Sequence, residues 1–269
     1  MPPTTGSRRA GAATTAGRGW PAWTEHPDPL GARHRSWQAA GVYRERPTRI
    51  AGATLWTSTA PARAMPTRVL PDGCLDLLWS SRAGLLVAGP DRTAFLSASV
   101  PGERWVGLRL PPGVGPAVLG VPAVEVRDRR VPLGDLWGDR AVGVLADRAA
   151  TEAEAVLVEV AARRLRAAGG PDPLGAWVAA ALAAGATVAA TAAEVGLDLR
   201  ALLRRSRHLF GYGPKTLARI LRLRRALALA RTGVPLAEVA YRAGYADQAH
   251  LTRDTRALTG LPPTSLLTP

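Results

Sequence analysis

Cysteine occurs once in the 269 residues, at Cys74. That excludes an intramolecular disulfide framework and a zinc site built on several thiolates, and it fits a reducing, cytoplasmic setting. Histidine is nearly as scarce, and the stretch from 43 to 140 has none, because His26 and His34 precede it and His208 and His250 follow it. A metal centre of imidazoles and a nucleophile–His–acid triad are therefore both excluded from that stretch, so neither metal, cofactor nor catalysis is expected. The opening residues MPPTTGSRRAGAATTAGRG lack the apolar core of a secretion signal. One uncharged run, LGAWVAAALAAGATVAATAA at 174–193, is long enough to cross a bilayer. Ala, Gly and Thr dominate it, so it reads as soluble helices broken near Gly185, with no membrane as partner.

Acidic residues are also few: 21 Asp and Glu stand against 35 Lys and Arg, a formal charge of +14. Lys215 is the only lysine. Biased coding accounts for part of this arginine excess, but a chain this basic still needs an acidic counterpart, and nucleic acid is the first candidate. The excess is uneven. Residues 199–237 hold ten basic side chains and no acid, and this concentration favours a phosphate-facing surface.

Three textures follow one another along the chain. Residues 1–42 mix Gly, Ala, Thr, Pro and Arg without periodicity and read as a disordered arm. From 43 to 140, short apolar runs (ATLWTST, RVLPDGCLDLLWS, GLLVAG, RWVGLRL, AVLGV, VEVRD) alternate with turn residues and predict an antiparallel sheet or small barrel. Residues 141–170 turn helical, with Val142, Leu145 and Ala149, then Ala155, Val158, Ala162 and Leu165, at three- and four-residue steps; they read as a helical linker. Gly169-Gly170-Pro171 ends it, and 171–269 reads as helix throughout.

This last region repeats itself. Leu202, Arg204, Arg207, Gly211 and Pro214 recur 49 residues later as Leu251, Arg253, Arg256, Gly260 and Pro263, and Ala192 and Gly196 recur at an offset of 48 as Ala240 and Gly244. Each unit has a helix ending at a glycine able to take positive φ, an apolar residue (Leu197, Tyr245), and an Asp (Asp198, Asp247) fit to cap the next helix. That is the pattern of a helix-turn-helix, and its exposed second helix would offer arginines to a major groove.

The two units and the intervening helix, expected from about 214 to 232, resemble the DNA-binding module of AraC/XylS-type transcriptional regulators, with PLAEVAYRAGYADQAHLTRDTRALTGLPP (235–263) matching the family's signature region. The resemblance implies recognition helices at 199–210 and 248–259 that enter successive major grooves. It implies base-facing positions at Arg200, Leu203 and Arg204 in the first, and at Gln248, Ala249, His250, Thr252 and Arg253 in the second. Arg204 and Arg253 suit guanine and Gln248 suits adenine, whereas Arg205, Arg207 and Arg256 suit phosphates. Three positions depart from the family pattern: Ser206 and Thr255 stand where a large apolar residue is usual, and Thr191 where Leu is usual. The loss of buried area predicts a less stable module.

VLPDGCLDLLW (69–79), AGPDR, VGLRLPPG and LGVPAVEVRDRRVPLGDLWG resemble an uncharacterised β-rich domain that often precedes such modules. In the wider family the preceding domain is commonly a cupin-like barrel that binds an effector or dimerises, so Cys74, Trp79 and Trp105 are the candidate effector-binding residues. The fold expected is α+β and multidomain: an antiparallel β-rich domain followed by an all-α double helix-turn-helix domain. The function expected is that of a sequence-specific regulator, not an enzyme. Double-stranded DNA is the expected partner, and RNA polymerase, a small-molecule effector and a second copy of the chain are admitted by the resemblance. Two other readings stay open: an alkylation-response protein acting through Cys74, and a small-molecule-binding protein with a degenerate helical half.

Overall fold

The structure is a computed structural model that describes residues 43–63 and 66–267; the arm expected over 1–42 lies outside the described residues. Strands β1 (Tyr43–Pro47), β2 (Thr54–Thr59), β4 (Leu75–Ser80), β5 (Gly84–Ala88), β7 (Arg104–Leu110) and β8 (Arg130–Pro132) form one antiparallel sheet in the order β1-β2-β7-β4-β5-β8. Two three-residue strands, β3 (Thr67–Val69) and β6 (Phe95–Ser97), make a separate ribbon. The sheet is open, with β1 and β8 at its edges, so the cupin-like barrel gives way to a sheet with two distinct faces.

Side chains alternate across a strand, and the two faces follow from that. Leu55, Leu75, Leu77, Leu85, Val87, Val106, Leu108 and Leu110 all point to one face and join a single buried core. That core is closed by the short helices α1 (Gly115–Leu119) and α2 (Leu133–Trp137) and by the long α3 (Asp139–Ala167), which contributes Ala149, Ala153, Val156, Leu157, Val160, Ala161, Ala162 and Leu165. The segment read as a linker is therefore structural: α3 buries an apolar stripe against the sheet and belongs to the N-terminal domain. The stripe is also not quite the expected one. A break in helical geometry at Glu152 re-phases it, so Ala155 is exposed and Val158 only half-buried.

Two of the expected strands are not strands. AVLGV begins in α1 and leaves it at the capping Gly120, with Pro116 in the helix's first turn, and VEVRD begins in a 3-10 turn, Ala123–Glu125. A proline fixed near helical φ and lacking an N–H favours a helix start over a sheet interior.

After Gly169-Gly170 the chain is helical: α4 (Pro173–Ala184), α5 (Val188–Glu194), α6 (Leu199–Phe210), α7 (Pro214–Arg231), α8 (Leu236–Ala243), α9 (Gln248–Thr259) and α10 (Pro263–Leu267). The uncharged run at 174–193 spans α4 and most of α5, broken by Gly185 at φ +96°. Among the described residues no helix is long and apolar enough to cross a membrane. The helical core gathers Leu202, Leu209, Phe210, Leu217, Ile220 and Leu221, with Leu70 of the N-terminal domain packed against it, and a satellite core of Val239, Ala240, Ala243, Tyr245 and Leu251 sits under the second unit.

Candidate nucleic-acid interface and sheet-face cavity

The two helix-turn-helix units are α5–α6 and α8–α9, and α6 and α9 span the residues expected of recognition helices. Gly196 and Gly244 adopt φ of +67° and +81°, and Asp198 and Asp247 cap the following helices, accepting from Ala201 N at 2.7 Å and His250 N at 2.6 Å. Each cap satisfies an otherwise orphaned helix N–H and ties the turn to its helix. Leu202 and Leu251 are fully buried and hold α6 and α9 inward.

That leaves an outer face on each. On α6, Arg200, Arg204, Arg205 and Arg207 are exposed; on α9, Gln248, Ala249, Arg253 and Arg256 are. The remaining candidates are engaged. Leu203 is half-buried, with its Cδ1 against Gly213. His250 stands edge-on to Tyr245 at 5.1 Å between centroids, and its Nδ1 accepts from Ala246 N at 3.4 Å. Thr252 donates to Gln248 O at 2.9 Å. Arg205 pairs with Asp172, the residue that caps α4, so it differs from its neighbour Arg204 in already having a carboxylate partner.

The acid-free block from 199 to 237 also divides. On α7, Arg219 and Arg222 bond Asp254 of α9, which is only 6% exposed and also accepts from Tyr245 OH at 3.1 Å. Arg222 lies over the Tyr245 ring at 4.2 Å. Arg225 donates to Ala183 O at 2.5 Å and Ala243 O at 2.6 Å, joining the C-terminal ends of α4 and α8, and burial lowers its pKa. Arg224 donates to Asp72 O at 3.3 Å in the N-terminal domain. Much of the charge that marked this block in the sequence thus holds the module together. The polar departures from the family pattern are buried as well: Thr191 and Thr255 donate to the carbonyls of Thr187 at 2.9 Å and Leu251 at 2.7 Å, while the buried Ser206 Oγ has no partner among the described residues.

On the sheet face away from α3 lies a cavity of about 360 Å³, walled by the sheet and by the ribbon residues Thr67, Val69, Phe95 and Ser97. Trp105 and Cys74 line it, but Trp79 does not: its register opposite Val106 places it on the core face, beneath the Arg104 guanidinium. Sequence reasoning missed the polar lining. Asp76 and Arg109 stand directly opposite each other on β4 and β7, 3.7 Å apart, and Asp76 accepts from Trp56 Nε1 at 2.8 Å. Their signal was charge alternating with leucine in LDLLW and GLRL, but register alone makes them a pair. Burial pushes the Asp76 carboxyl up, and at Arg109 the depressing effect of burial is outweighed by Asp76 and Asp72. Arg130 forks onto Asp91 at 2.9 and 2.7 Å and lies 3.9 Å over the Phe95 ring. Burial, and then Asp72, push the Cys74 thiol well up.

The helix-turn-helix domain family matches residues 191–268, and a domain of unknown function (DUF6597) matches residues 53–132. Among solved structures, a probable AraC family transcriptional regulator from Rhodopseudomonas palustris CGA009 is 23% identical with a TM-score of 0.32, covering 36% of this chain and 95% of that one. An apo ToxT variant from Vibrio cholerae strain SCE256 is 12% identical with a TM-score of 0.44, covering 83% and 98%. Wild-type ToxT of the same strain with an unsaturated fatty acid bound is 10% identical with a TM-score of 0.41, covering 80% and 94%. No curated protein matches. The capped units, their outward arginines and the matched domain define a DNA-binding protein of the helix-turn-helix class. More narrowly, the chain carries a helix-turn-helix domain over residues 191–268 behind a DUF6597 domain over residues 53–132.

Proposed function

We propose that the protein reads a specific DNA sequence by placing α6 and α9 in successive major grooves, and that the sheet-face cavity holds a small-molecule effector. One observation carries the first part. Arg204 and Arg207 on α6 and Arg253 and Arg256 on α9 are all exposed and occupy the same places in the two repeated units. Two copies of one reading surface suit two half-sites in one duplex. Arg204 and Arg253 read bases, Arg200 and Gln248 join them, and Arg207 and Arg256 meet phosphates. Leu203, His250 and Thr252 shape the surface from partly buried positions, and Arg205 must leave Asp172 to reach a phosphate. The cavity's size and its mixed indole, leucine and charged lining support the effector role. A half-buried Cys74 whose thiol is held well above its ordinary pKa argues against an alkyl-accepting thiol.

Selecting sites from random DNA with the purified chain tests this. An enriched motif with two half-sites is expected. On that motif Arg204→Ala and Arg253→Ala should each lower specific affinity about tenfold and largely spare random DNA, as the loss of one bidentate base contact does. Equal weakening on every sequence would reassign both residues to phosphates. Affinity that does not fall with salt would reject the DNA reading altogether.

A further inference from the structure

The N-terminal domain touches the carboxyl end of both recognition helices through an arginine, but the two arginines stand on very different supports. At the end of α6, Arg127 donates to Gly211 O at 2.9 Å. Its neighbour Val126 is fully buried in the sheet core, and Gly211 sits close against Pro90 and Ala123 O. At the end of α9, Arg68 donates to Thr259 O at 2.7 Å, and Ala94 N donates to Leu258 O at 2.7 Å. Arg68 is the middle residue of β3, and Ala94 immediately precedes β6, so both contacts come from the ribbon that walls the cavity. That ribbon is three residue pairs wide, with Phe95 and Leu96 exposed. Each arginine also sits where the helix dipole is negative, so each contact helps set where its helix ends.

We infer that the ribbon β3–β6 is the coupling element between the cavity and the second recognition helix, so that an occupant of the cavity re-sets α9 while α6 stays anchored. The inference rests on reading the cavity as an effector site and α9 as a recognition helix. The physical reason is the contrast in support. An occupant that presses on Val69, Phe95 or Ser97 meets a narrow two-stranded ribbon, which moves more easily than the six-stranded sheet behind it. Movement of the ribbon carries Arg68 and Ala94 with it and releases the Leu258 and Thr259 carbonyls. The corresponding contact on α6 is fixed to residues of the packed core and does not follow. Regulation is therefore asymmetric: it acts on one half-site.

The test uses the full chain and a built-in occupant. Ala88 lines the cavity from β5, on the sheet side, and Ala88→Phe places a ring in the space an effector would take. Amide hydrogen exchange, read without DNA, should rise in the peptide covering the last turn of α9 by about fivefold or more, while the last turn of α6 is unchanged. Arg68→Ala, a change at a partly exposed position that leaves the cavity as it is, should produce the same local rise. Ala88→Phe added to Arg68→Ala should then add little. On the selected DNA site, both variants should change sensitivity to base substitutions in the α9 half-site and leave the α6 half-site alone.

Unchanged exchange at α9 in Arg68→Ala overturns the inference, even if Ala88→Phe proves unfolded. So does an equal rise at both helix ends, or full additivity of the two variants. If the exchange pattern holds but no DNA motif is enriched, the coupling stands and the recognition reading fails. If the DNA motif is found and exchange does not change, the coupling fails alone.

Discussion

Arg204 and Arg205 are adjacent and chemically identical, yet the fold gives them different work. Arg204 points outward unpartnered by any carboxylate in the described structure, whereas Arg205 is folded back onto Asp172. A 3.6-residue period places them about 100° apart around the helix, but it does not say which carboxylate waits on which side. Ser206, next in the chain, is buried with an unsatisfied hydroxyl. Removing that hydroxyl removes an unpaid desolvation cost, so Ser206→Ala should raise stability by about 1 kcal/mol, seen as a higher Tm in thermal unfolding. A lower Tm would mean that the hydroxyl has a partner in solution. Cys74 is the other residue whose chemistry its surroundings decide. Its folded pKa lies well above the ordinary thiol value, chiefly through burial. The thiolate fraction is therefore depressed throughout the ordinary range and recovers only as pH rises toward the folded value. At about pH 8 iodoacetamide should label Cys74 severalfold more slowly in the native chain than in the denatured one, because the raised thiol pKa and the half-buried position both withhold the thiolate. Peptide mass spectrometry checks this, and equal rates would return Cys74 to candidacy as a reactive thiol.

At the scale of elements, the helix-turn-helix units were legible because their signals are local: a glycine, an apolar residue and a capping Asp within a few positions, repeated at a near-constant offset. The strands were legible as alternation, and the longest of them appear in the sheet. What alternation does not carry is register, and register built the cavity. Trp56 lies opposite Gly107, and a Cβ on that glycine would meet the indole at 2.1 Å. Gly107 thus lets Trp56 lie flat on the sheet, where it donates to Asp76. Gly107→Ala should push the indole off, break that hydrogen bond and cost about 1–3 kcal/mol, the range for overpacking. Denaturant unfolding, with a shift in tryptophan emission, would show it; an unchanged midpoint and spectrum would place Trp56 elsewhere. The helix α3 shows the same limit from the other side. Its periodicity announced a helix, but whether that helix bridges domains or completes one depends on the sheet face that waits for it.

For the whole molecule, the domains are joined by more than the short linker after α3. Gly113 and Gly175 bring the two backbones together so closely that a Cβ on Gly113 would lie 2.9 Å from Gly175 Cα. Leu70 enters the helical core, and Arg68, Arg127 and Arg224 cross from one domain to the other. A protease site inserted between Gly169 and Gly170 and then cut should therefore leave the two fragments co-eluting on size exclusion; separate elution would mean that covalent linkage alone holds the domains together. The sequence by itself determined the two textures, the paired helix-turn-helix units and the arginines repeated on them, because caps, turns and helical periods act between residues a few positions apart. Only the tertiary structure decided that the sheet is open, that α3 belongs to it, that half of the basic block braces the fold, and that a cavity wall reaches α9. Those outcomes depend on which strand lies beside which and which surfaces meet, and they are set by packing between residues far apart in the chain.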